Sequence, residues 1–467
     1  MAGKELLLAI DQGTTGSTSL VMDRTGKTLG RKNVEFEQHF PKPGWVEHDP
    51  EQIWASVESA TEGALVEAGV KGEDIAAIGI TNQRETTLVW DRKTGAPIHK
   101  AIVWQDRRTT ERCAELRQAG HLEAVRATTG LVLDPYFSGT KVAWLLENVD
   151  GAKARAEAGE LAFGTIDSYL VYRLSGRQAH VTDVTNASRT LLMSLKTLDW
   201  DVGMMEMLGV PEALLPRIVP SAGEIAKTKG FGPLPDGVPI AGIAGDQQSA
   251  LFGQACFAVG DAKCTYGTGA FVLSNIGSEP IASGNGLLTT VAWKVGDEVA
   301  YAFEGSAFIA GAAVQWLRDG LGLIASSSEI EALAAEVDSS DGVYFVPALA
   351  GLGAPYWDPD ARGIICGLTR GTTKGHLARA TLEGIAHEVT DLVEAMADDL
   401  GGSLKKMRVD GGAANNDLLL QEQAKLAGIT IERPMDLETT ARGAAMLAAV
   451  GAGLFSGMAE AAQMSPI

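Results

Sequence analysis

A short apolar segment that runs into a turn rich in glycine and threonine occurs twice in this chain of 467 residues. In the first copy, residues 6–10 are apolar, residues 11–18 form the turn, and the apolar pattern resumes at residues 20–22. In the second copy, residues 264–274 again have the composition of a strand, a Gly/Thr turn and a strand. We therefore expect two halves of similar plan that meet near residue 255. The N-terminal domain would cover residues 1–254 and the C-terminal domain residues 255–467.

Helical and strand patterns alternate around these turns, which predicts an α/β fold. Asp49 is a favourable N-cap, Pro50 suits the first helical position, and apolar residues recur at helical spacing from there to Gly69. Ser328 and Glu331 predict a capping box at the start of a later helix. Strands are expected at residues 75–80, 87–90, 240–244 and 407–409, and further helices at residues 328–337, 377–400 and from about residue 416.

The charge balance excludes several classes of partner. Acidic residues outnumber basic residues by 59 to 39, which gives a net charge of −20, and such a surface repels nucleic acid and anionic lipid. The longest uncharged run, residues 443–459, is shorter than the roughly 20 residues needed to span a bilayer and is typical of a tightly packed helix. The four cysteines form no Cys-X-X-Cys pair. We expect reduced, buried thiols, a cytoplasmic location, no nucleic-acid binding and no membrane insertion.

Both Gly/Thr turns have the chemistry of a phosphate-binding loop. Small residues let backbone N–H groups approach phosphate oxygens, threonine hydroxyls add donors, and Asp11 at a strand end can hold Mg²⁺. The sequence contains no GxxxxGK[ST] motif, and a plain hairpin turn is the alternative for each copy. Two such turns in equivalent places favour a nucleotide held between two lobes. A third turn, Asp410-Gly-Gly, stands at a strand-to-helix junction, where a nucleotide or an Asn-capped turn accounts for it equally well.

Several charged and aromatic residues are candidates for a second substrate. Arg84 and Glu85 follow a buried strand and suit the hydroxyls of a neutral polyol, although a surface ion pair is the alternative. Asp246 also follows an apolar strand, where partial burial would raise its pKa and make it a base toward an alcohol. The alternative for Asp246 is an N-cap of the following helix. Trp104 and Phe271 are either ligand walls or core aromatics.

Taken together, the chain resembles the FGGY family of carbohydrate kinases, within the actin/hexokinase-like ATPase superfamily. The resemblance covers residues 5–455 and rests on nine motifs in order: Asp11-Gln-Gly-Thr-Thr15, Thr81-Asn-Gln-Arg-Glu-Thr-Thr87, Ala101-Ile-Val-Trp-Gln105, Asp134-Pro-Tyr-Phe-Ser-Gly-Thr-Lys141, Thr182-Asp-Val-Thr-Asn-Ala-Ser-Arg-Thr190, Ala244-Gly-Asp-Gln-Gln248, Thr265-Tyr-Gly-Thr-Gly269, Gly351-Leu-Gly-Ala-Pro-Tyr-Trp-Asp-Pro359 and Asp410-Gly-Gly-Ala. It implies two lobes of the ribonuclease H-like ATPase fold with a cleft between them. The implied reaction is the phosphorylation of glycerol by ATP to sn-glycerol 3-phosphate, the entry step of glycerol catabolism, with Mg²⁺. A homo-oligomer, dimer or tetramer, is also implied.

The resemblance also assigns roles to individual residues. Asp246 would be the general base, and Asp11 would organise Mg²⁺. The residues that would hold glycerol are Arg84, Glu85, Tyr136, Asp246 and Gln247, with Trp104 and Phe271 as an apolar wall. The residues that would contact the nucleotide are Thr14, Thr15, Gly16, Thr268, Gly311, Gln315, Gly412 and Asn416.

The sequence departs from the family pattern at the first turn. Thr18 stands where the family usually has an arginine that reaches the nucleotide phosphates, and Gly16 stands where a serine is common. Charge neutralisation must then come from Mg²⁺ or from elsewhere in the protein. Two alternatives stay open: a kinase for another polyol or ketose in the same family, and a nucleotide-binding regulator that has lost catalysis.

Overall fold

The computed structural model describes residues 5–466, and a sheet of twelve strands runs through its centre. In chain order these strands are β1 (Leu6–Gln12), β2 (Gly16–Met22), β3 (Thr28–Glu35), β4 (Ile75–Asn82), β5 (Ala222–Lys227), β6 (Pro239–Gly245), β7 (Ala262–Tyr266), β8 (Ala270–Gly277), β9 (Leu288–Val295), β10 (Glu298–Ala307), β11 (Lys406–Asp410) and β12 (Thr430–Glu432). Outside this sheet, the described residues form four short strand pairs and one triplet, from the strands Gln38–His39, Glu47–His48, Leu88–Asp91, Ala101–Ile102, Leu161–Gly164, Val181–Asp183, Met193–Ser194, Asp199–Trp200, Arg217–Val219, Tyr344–Val346 and Ile364–Cys366.

The strand order across the sheet is β12-β11-β7-β8-β10-β9-β5-β6-β4-β1-β2-β3. In one half, β1 is antiparallel to β2 and parallel to β4, β2 is antiparallel to β3, and β6 is parallel to β4. In the other half, β7 is antiparallel to β8 and parallel to β11, β8 is antiparallel to β10, and β12 is parallel to β11. The orders β3-β2-β1-β4-β6 and β10-β8-β7-β11-β12 therefore repeat one plan. The predicted two-lobed α/β fold is confirmed, and the domain boundary after residue 254 stays a prediction.

Helices cover the two faces of the sheet. The α-helices among the described residues are α1 (Pro50–Ala68), α2 (Thr110–Gln118), α3 (Leu122–Thr129), α4 (Ser138–Asn148), α5 (Ala152–Glu157), α6 (Ile166–Leu174), α7 (Val184–Ala187), α8 (Val202–Leu208), α9 (Asp246–Gly253), α10 (Gly311–Asp319), α11 (Glu329–Ala334), α12 (Lys374–Leu400), α13 (Asp417–Ala427), α14 (Thr439–Gly451) and α15 (Met458–Ala461). Successive residues of a strand point to opposite faces, and β1 shows this directly. Its Leu8 belongs to the apolar cluster of α1, whereas Leu7 belongs to the cluster of α14.

Local helix signals are confirmed where no distant contact competes with them. Asp49 caps α1 by accepting a hydrogen bond from the N–H of Glu51 at 2.9 Å, and Gly69 ends the helix with a φ of 68°. The capping box predicted for α11 is wrong, because Ser328 makes no side-chain cap there. The carboxylate of Glu331 instead accepts a hydrogen bond from the N–H of Leu418, at 3.0 Å. A tertiary contact has therefore replaced a local one.

The uncharged run near the C-terminus contributes most of α14, and its residues are largely buried. Within residues 5–466, no helix combines the length and the apolar character needed to cross a membrane. All four cysteine thiols are free. Cys113, Cys256 and Cys264 are buried, but Cys366 is exposed, so the expectation of buried thiols is wrong for that residue.

Candidate active site

The carboxyl end of β4 carries the charged pair Arg84 and Glu85, and both side chains are buried. Glu85 has a φ of 60°, a conformation that costs about 1–3 kcal/mol for a residue with a side chain. Its carbonyl oxygen accepts hydrogen bonds from the hydroxyls of Thr87 and Ser138, each at 3.0 Å. Because Ser138 is the first residue of α4, that helix holds the strained loop in place. The alternative of a surface ion pair is wrong.

Acceptor groups from both halves of the chain surround the guanidinium of Arg84. Its Nη1 and Nη2 bond to the two carboxylate oxygens of Glu304 at 2.5 and 3.0 Å, a bidentate pair. Its Nε lies 3.1 Å from Oδ1 of Asp246. Two longer contacts join Nη1 to Gln248 at 3.2 Å and Nη2 to the hydroxyl of Tyr136 at 3.3 Å. The plane of the guanidinium is therefore fixed by the protein.

A second buried arginine, Arg189, completes a set that we call the charged cluster, which consists of Arg84, Glu85, Arg189, Asp246 and Glu304. Its Nε lies 2.6 Å from Oε1 of Glu85, and its Nη2 lies 2.9 Å from Oε1 of Glu304. Burial alone would raise the pKa of Glu304, but the charges of Arg189 and Arg84 outweigh burial and lower that pKa to about 2. Burial raises the pKa of Glu85 in spite of the same two arginines. The pairing compensates charges that would otherwise be very unfavourable in the interior.

Asp246 is the first residue of α9, and Gly245 occupies the cap position. The N-cap alternative for Asp246 is therefore wrong. Its Oδ1 accepts a hydrogen bond from the N–H of Gln247 at 2.7 Å, in addition to the contact with Arg84. The side chain is 32% exposed, so a substrate can reach the carboxylate.

Three half-buried aromatic rings adjoin the charged cluster. The ring of Trp104 lies 5.7 Å from that of Tyr136 and 6.5 Å from that of Phe271, centroid to centroid and edge to face. Phe271 belongs to β8, whereas Trp104 and Tyr136 belong to the N-terminal half. The two halves of the chain therefore meet at this group of rings.

A buried lysine connects two further residues of the site. Nζ of Lys263 donates hydrogen bonds to Oε1 of Gln247, to Oγ1 of Thr265 at 2.9 Å and to the carbonyl oxygen of Phe271 at 3.3 Å. Burial lowers the pKa of Lys263. Through this contact, Gln247 on α9 and Phe271 on β8 are held together.

The hairpin between β1 and β2 lies next to the aromatic rings. The N–H of Gly13 donates to the carbonyl oxygen of Gly16 at 2.9 Å and closes the turn. The hydroxyl of Thr14 accepts a hydrogen bond from Nε1 of Trp104 at 2.9 Å. Thr15 is exposed at the tip, whereas Gly16 is buried in β2 opposite β3. The first Gly/Thr turn therefore contacts the predicted substrate wall directly.

Asp11 and Thr18 lie opposite each other on β1 and β2, so their side chains share one face. Asn33 donates a hydrogen bond to the hydroxyl of Thr18 at 2.8 Å. Burial, and after it the charge of Asp246, raise the pKa of Asp11 to about 8. Mg²⁺ is usually bound by one or two carboxylates together with phosphate oxygens, and these two aspartates fit that donor set. No group of three or more His, Cys, Asp or Glu side chains in residues 5–466 could hold a metal unaided.

The second hairpin, between β7 and β8, packs against the first turn of α10. The N–H of Gly311 donates to the carbonyl oxygen of Gly267 at 3.0 Å. The N–H groups of Ala310 and Ala312 donate to the carbonyl oxygen of Thr268 at 2.8 and 3.0 Å. A Cβ at position 311 would lie 2.6 Å from the oxygen of Gly267, so this close approach requires glycine.

The other predicted nucleotide contacts of the C-terminal half adjoin the same hairpin. Gln315 is exposed one turn further along α10. Gly411 has a φ of 85°, and a Cβ there would lie 2.5 Å from the carbonyl oxygen of Tyr266. Gly412 begins a 3₁₀ turn with open space beside it, and Asn416 caps α13 by accepting from the N–H of Leu419 at 2.8 Å. The glycine of the third turn that is required for packing is thus Gly411, and Gly412 leaves room for a ligand.

Both halves of the chain match one family of enzymes. Residues 6–253 match the N-terminal domain of the FGGY family of carbohydrate kinases, and residues 262–452 match its C-terminal domain. The chain belongs to the FGGY family of carbohydrate kinases. The family resemblance expected from the nine motifs is therefore confirmed.

Several relatives of this FGGY kinase are named glycerol kinase. The protein of Alkalilimnicola ehrlichii is 58% identical over 450 residues, which cover 96% of this chain and 91% of the relative. The protein of Myxococcus xanthus is 58% identical over 457 residues, with 97% and 92% covered. The crystal structure of Plasmodium falciparum glycerol kinase with ADP has a TM-score of 0.91 at 37% identity, covering 97% of this chain and 91% of the other. Ligand-bound xylulose kinase from Lactobacillus acidophilus has a TM-score of 0.89 at 23% identity over 98% of this chain and 92% of its own, and shares the fold.

Three charged residues next to the site of this FGGY kinase were not among the predicted site residues. They are Arg189, Lys263 and Glu304, and each is fully buried. Glu304 and Lys263 are charged residues flanked by apolar residues in strand-like segments, and a charge in such a place must be paired. That rule could have selected both residues, but it does not reveal their partners.

Proposed function

We propose that this FGGY kinase transfers the γ-phosphoryl group of ATP to glycerol and forms sn-glycerol 3-phosphate and ADP. The observation that carries the proposal is the hydrogen bond between Trp104 and Thr14. It joins the ring beside the charged cluster of Arg84 and Asp246 to a Gly/Thr hairpin suited to phosphate. The identity of 52–58% with proteins named glycerol kinase supports glycerol as the acceptor.

Glycerol has three hydroxyls and no charge, so a specific site must supply matched donors and acceptors. Arg84 donates, Glu85 accepts, and Tyr136 and Gln247 can do both. The contacts of Arg84 with Gln248 and Tyr136 are long, so a glycerol oxygen would accept hydrogen bonds from the same two N–H groups. The bidentate pair with Glu304 would keep the plane of the guanidinium in place. A site built for hydroxyls can reject an analogue that lacks one by up to about 10⁴–10⁵.

Asp246 would act as the general base. The attacked hydroxyl of glycerol would give its proton to the carboxylate of Asp246 while the hydroxyl oxygen forms a bond to the γ-phosphorus of ATP. The bond from that phosphorus to the β–γ bridging oxygen breaks, and ADP leaves. The contact of Nε of Arg84, 3.1 Å from Oδ1, orients the carboxylate toward the acceptor. Phosphoryl transfer depends mainly on such positioning and on charge neutralisation.

The two hairpins would hold the nucleotide between them. Mg²⁺, bound near Asp11, would neutralise charge on the phosphates. The residues that we propose for nucleotide contact are Thr14, Thr15 and Gly16 on the first hairpin and Thr268, Gly311, Gln315, Gly412 and Asn416 around the second. Since Thr18 supplies no cation, the protein gives the phosphates less positive charge here than the usual family arginine would.

The acceptor is tested by an ADP-release assay with equal concentrations of glycerol, dihydroxyacetone, erythritol and xylulose. We expect kcat/KM to be highest for glycerol. A higher value for another compound would assign the enzyme to that polyol or ketose. Tight ATP binding without turnover on any of the four would favour a regulator that has lost catalysis.

We also propose that the enzyme is a cytoplasmic homo-oligomer. Light scattering coupled to gel filtration would then give two or four times the 49.0 kDa of one chain. A mass of one chain at micromolar concentration would contradict this proposal.

A further inference from the structure

The loop that presents Arg84 and Glu85 is bonded to the first hairpin through the side chain of Gln83. This side chain is 1% exposed. Its Nε2 donates to the carbonyl oxygen of Gly13 at 3.2 Å and to Oε1 of Gln12 at 3.0 Å. Its backbone N–H donates to the carbonyl oxygen of Gln12 at 2.7 Å. Gln83 therefore contacts the hairpin that we propose to bind phosphate.

The same glutamine is bonded to the aromatic wall through Thr86. The hydroxyl of Thr86 donates to Oε1 of Gln83 at 2.9 Å and accepts from the backbone N–H of Trp104 at 3.2 Å. Thr86 is fully buried. The hydroxyl of Thr86 thus joins Gln83 to Trp104, since it donates to the first and accepts from the second.

These contacts close into a ring, because Nε1 of Trp104 donates to the hydroxyl of Thr14, the neighbour of Gly13. We call this set, which consists of Gly13, Thr14, Gln83, Thr86 and Trp104, the polar ring. The donors within it are the amide of Gln83, the hydroxyl of Thr86 and both N–H groups of Trp104, and its members come from three separate segments of the chain. A closed and partly buried set of hydrogen bonds is more rigid than any one of its contacts.

We propose that Gln83 and Thr86 are positioning residues that fix the distance between the phosphate-binding hairpin and the acceptor pocket. Neither residue faces the reacting atoms in this scheme, and both act through the hairpin and through Trp104. The inference rests on the proposed function and explains how the glycerol hydroxyl and the γ-phosphoryl group would be kept in line. Reacting atoms must be held about 3–3.5 Å apart, and a displacement of about 1 Å can cost 10²-fold in rate.

The test compares Thr86→Val, which keeps the shape and removes the hydroxyl, with Thr86→Ser, which keeps the hydroxyl. We expect Thr86→Val to lower kcat with glycerol by about 10- to 100-fold while KM for glycerol and for ATP stay within about threefold, since alignment is lost and binding is not. Thr86→Ser should recover most of the lost kcat. Hydrolysis of ATP by water in the absence of glycerol should be unchanged in Thr86→Val, because water needs no aligned wall.

A second variant, Gln83→Met, breaks the same ring at another point. If the ring acts as a unit, the double variant Gln83→Met/Thr86→Val loses no more kcat than the worse single variant. Thr129→Val serves as the folding control, because Thr129 at the end of α3 is also buried but has no contact with the ring. Its hydroxyl likewise donates one hydrogen bond, to the carbonyl oxygen of Val125 at 2.8 Å, and accepts one, from the N–H of Leu131 at 3.2 Å. We expect that variant to keep wild-type kcat, and melting temperatures would show that all variants are folded.

Three outcomes would overturn the positioning role. They are wild-type kcat in folded Thr86→Val, a loss confined to KM for glycerol, and losses that multiply in the double variant. Wild-type turnover with glycerol separates this inference from the proposed function. An inactive wild type contradicts the proposed function, whereas an active wild type beside a fully active Thr86→Val overturns only the ring.

Discussion

The two Gly/Thr hairpins occupy equivalent places in the two halves of the sheet, but their neighbours differ. The first is bonded to the acceptor side of the site, through Gln83 and Trp104. The second is bonded to the first turn of α10, through the carbonyl oxygens of Gly267 and Thr268. The same local motif is thus placed beside the proposed acceptor site in one half and beside a helix N-terminus in the other.

The acidic residues around the two hairpins also differ. In the first half, Asp11 on β1 pairs with Thr81 on β4. In the second half, the equivalent position on β7 is Thr265, and it pairs with Asp410 on β11. Asp11 is half-buried. Asp410 is 1% exposed and accepts a hydrogen bond from the hydroxyl of Thr439. We infer that the first hairpin takes part in the transfer itself, whereas the second mainly binds the nucleotide.

The strongest test of this division is Asp246→Asn, on the side of the first hairpin. Removing a general base lowers kcat by about 10²–10⁴-fold, and nucleotide binding should be nearly unchanged. Steady-state kinetics and calorimetric titration with ATP measure the two quantities. A variant with at least a third of wild-type kcat would show that another group is the base.

The next largest effect is expected for Asp11→Asn. If Asp11 organises Mg²⁺, the concentration of Mg²⁺ needed for half-maximal rate should rise by about 10- to 100-fold, the usual range for disturbing a metal site. Activity should return at high Mg²⁺. An unchanged Mg²⁺ dependence would place the ion elsewhere.

On the side of the second hairpin, Gly311→Ala should raise KM for ATP by about tenfold, because overpacking by a methyl group costs about 1–3 kcal/mol. The new Cβ would lie 2.6 Å from the oxygen of Gly267 and displace the hairpin. We expect kcat to change much less than KM. Gly402→Ala is the matched control, since no atom lies within 4 Å of the added carbon. A loss confined to kcat would contradict the division between the hairpins.

The smallest effect is expected for Thr18→Arg, which adds a cation on the same face as Asp11. Thr18 is buried, so the longer arginine must extend out of the sheet to reach a phosphate. With the guanidinium in solvent, ATP should bind up to about fivefold tighter, in line with about 0.2–1 kcal/mol for an exposed charge pair. Thr18→Met adds length without charge and controls for packing. Unchanged or weaker binding in Thr18→Arg would show that the phosphates lie out of its reach.

Much of the fold could be predicted because its signals are local. The strand β1, the cap of α1 at Asp49 and the end of that helix at Gly69 depend on neighbours within a few positions. The capping box of α11 failed for the opposite reason, since Glu331 is bonded to Leu418 on another helix. A local preference worth about 1 kcal/mol is easily overridden by one tertiary hydrogen bond.

The candidate site could be predicted only in part. Motifs selected Arg84, Glu85 and Asp246, and the structure brings Arg84 into contact with Asp246 and with Tyr136. Glu304 was not selected, although it holds Arg84 with both carboxylate oxygens. A strand pattern shows that a buried charge needs a partner, but it does not say which one.

The sequence by itself determined the local chemistry of this protein: two Gly/Thr turns after apolar strands, and charged residues at strand ends. Only the tertiary structure decided which of those groups meet. Arg84 lies 220 positions before Glu304, and Glu85 lies 104 positions before Arg189. Helix and strand periodicities extend over about a dozen residues and carry no information on such distances. The charged cluster and the polar ring follow from the way the strands are ordered in the sheet, because that order brings distant segments side by side.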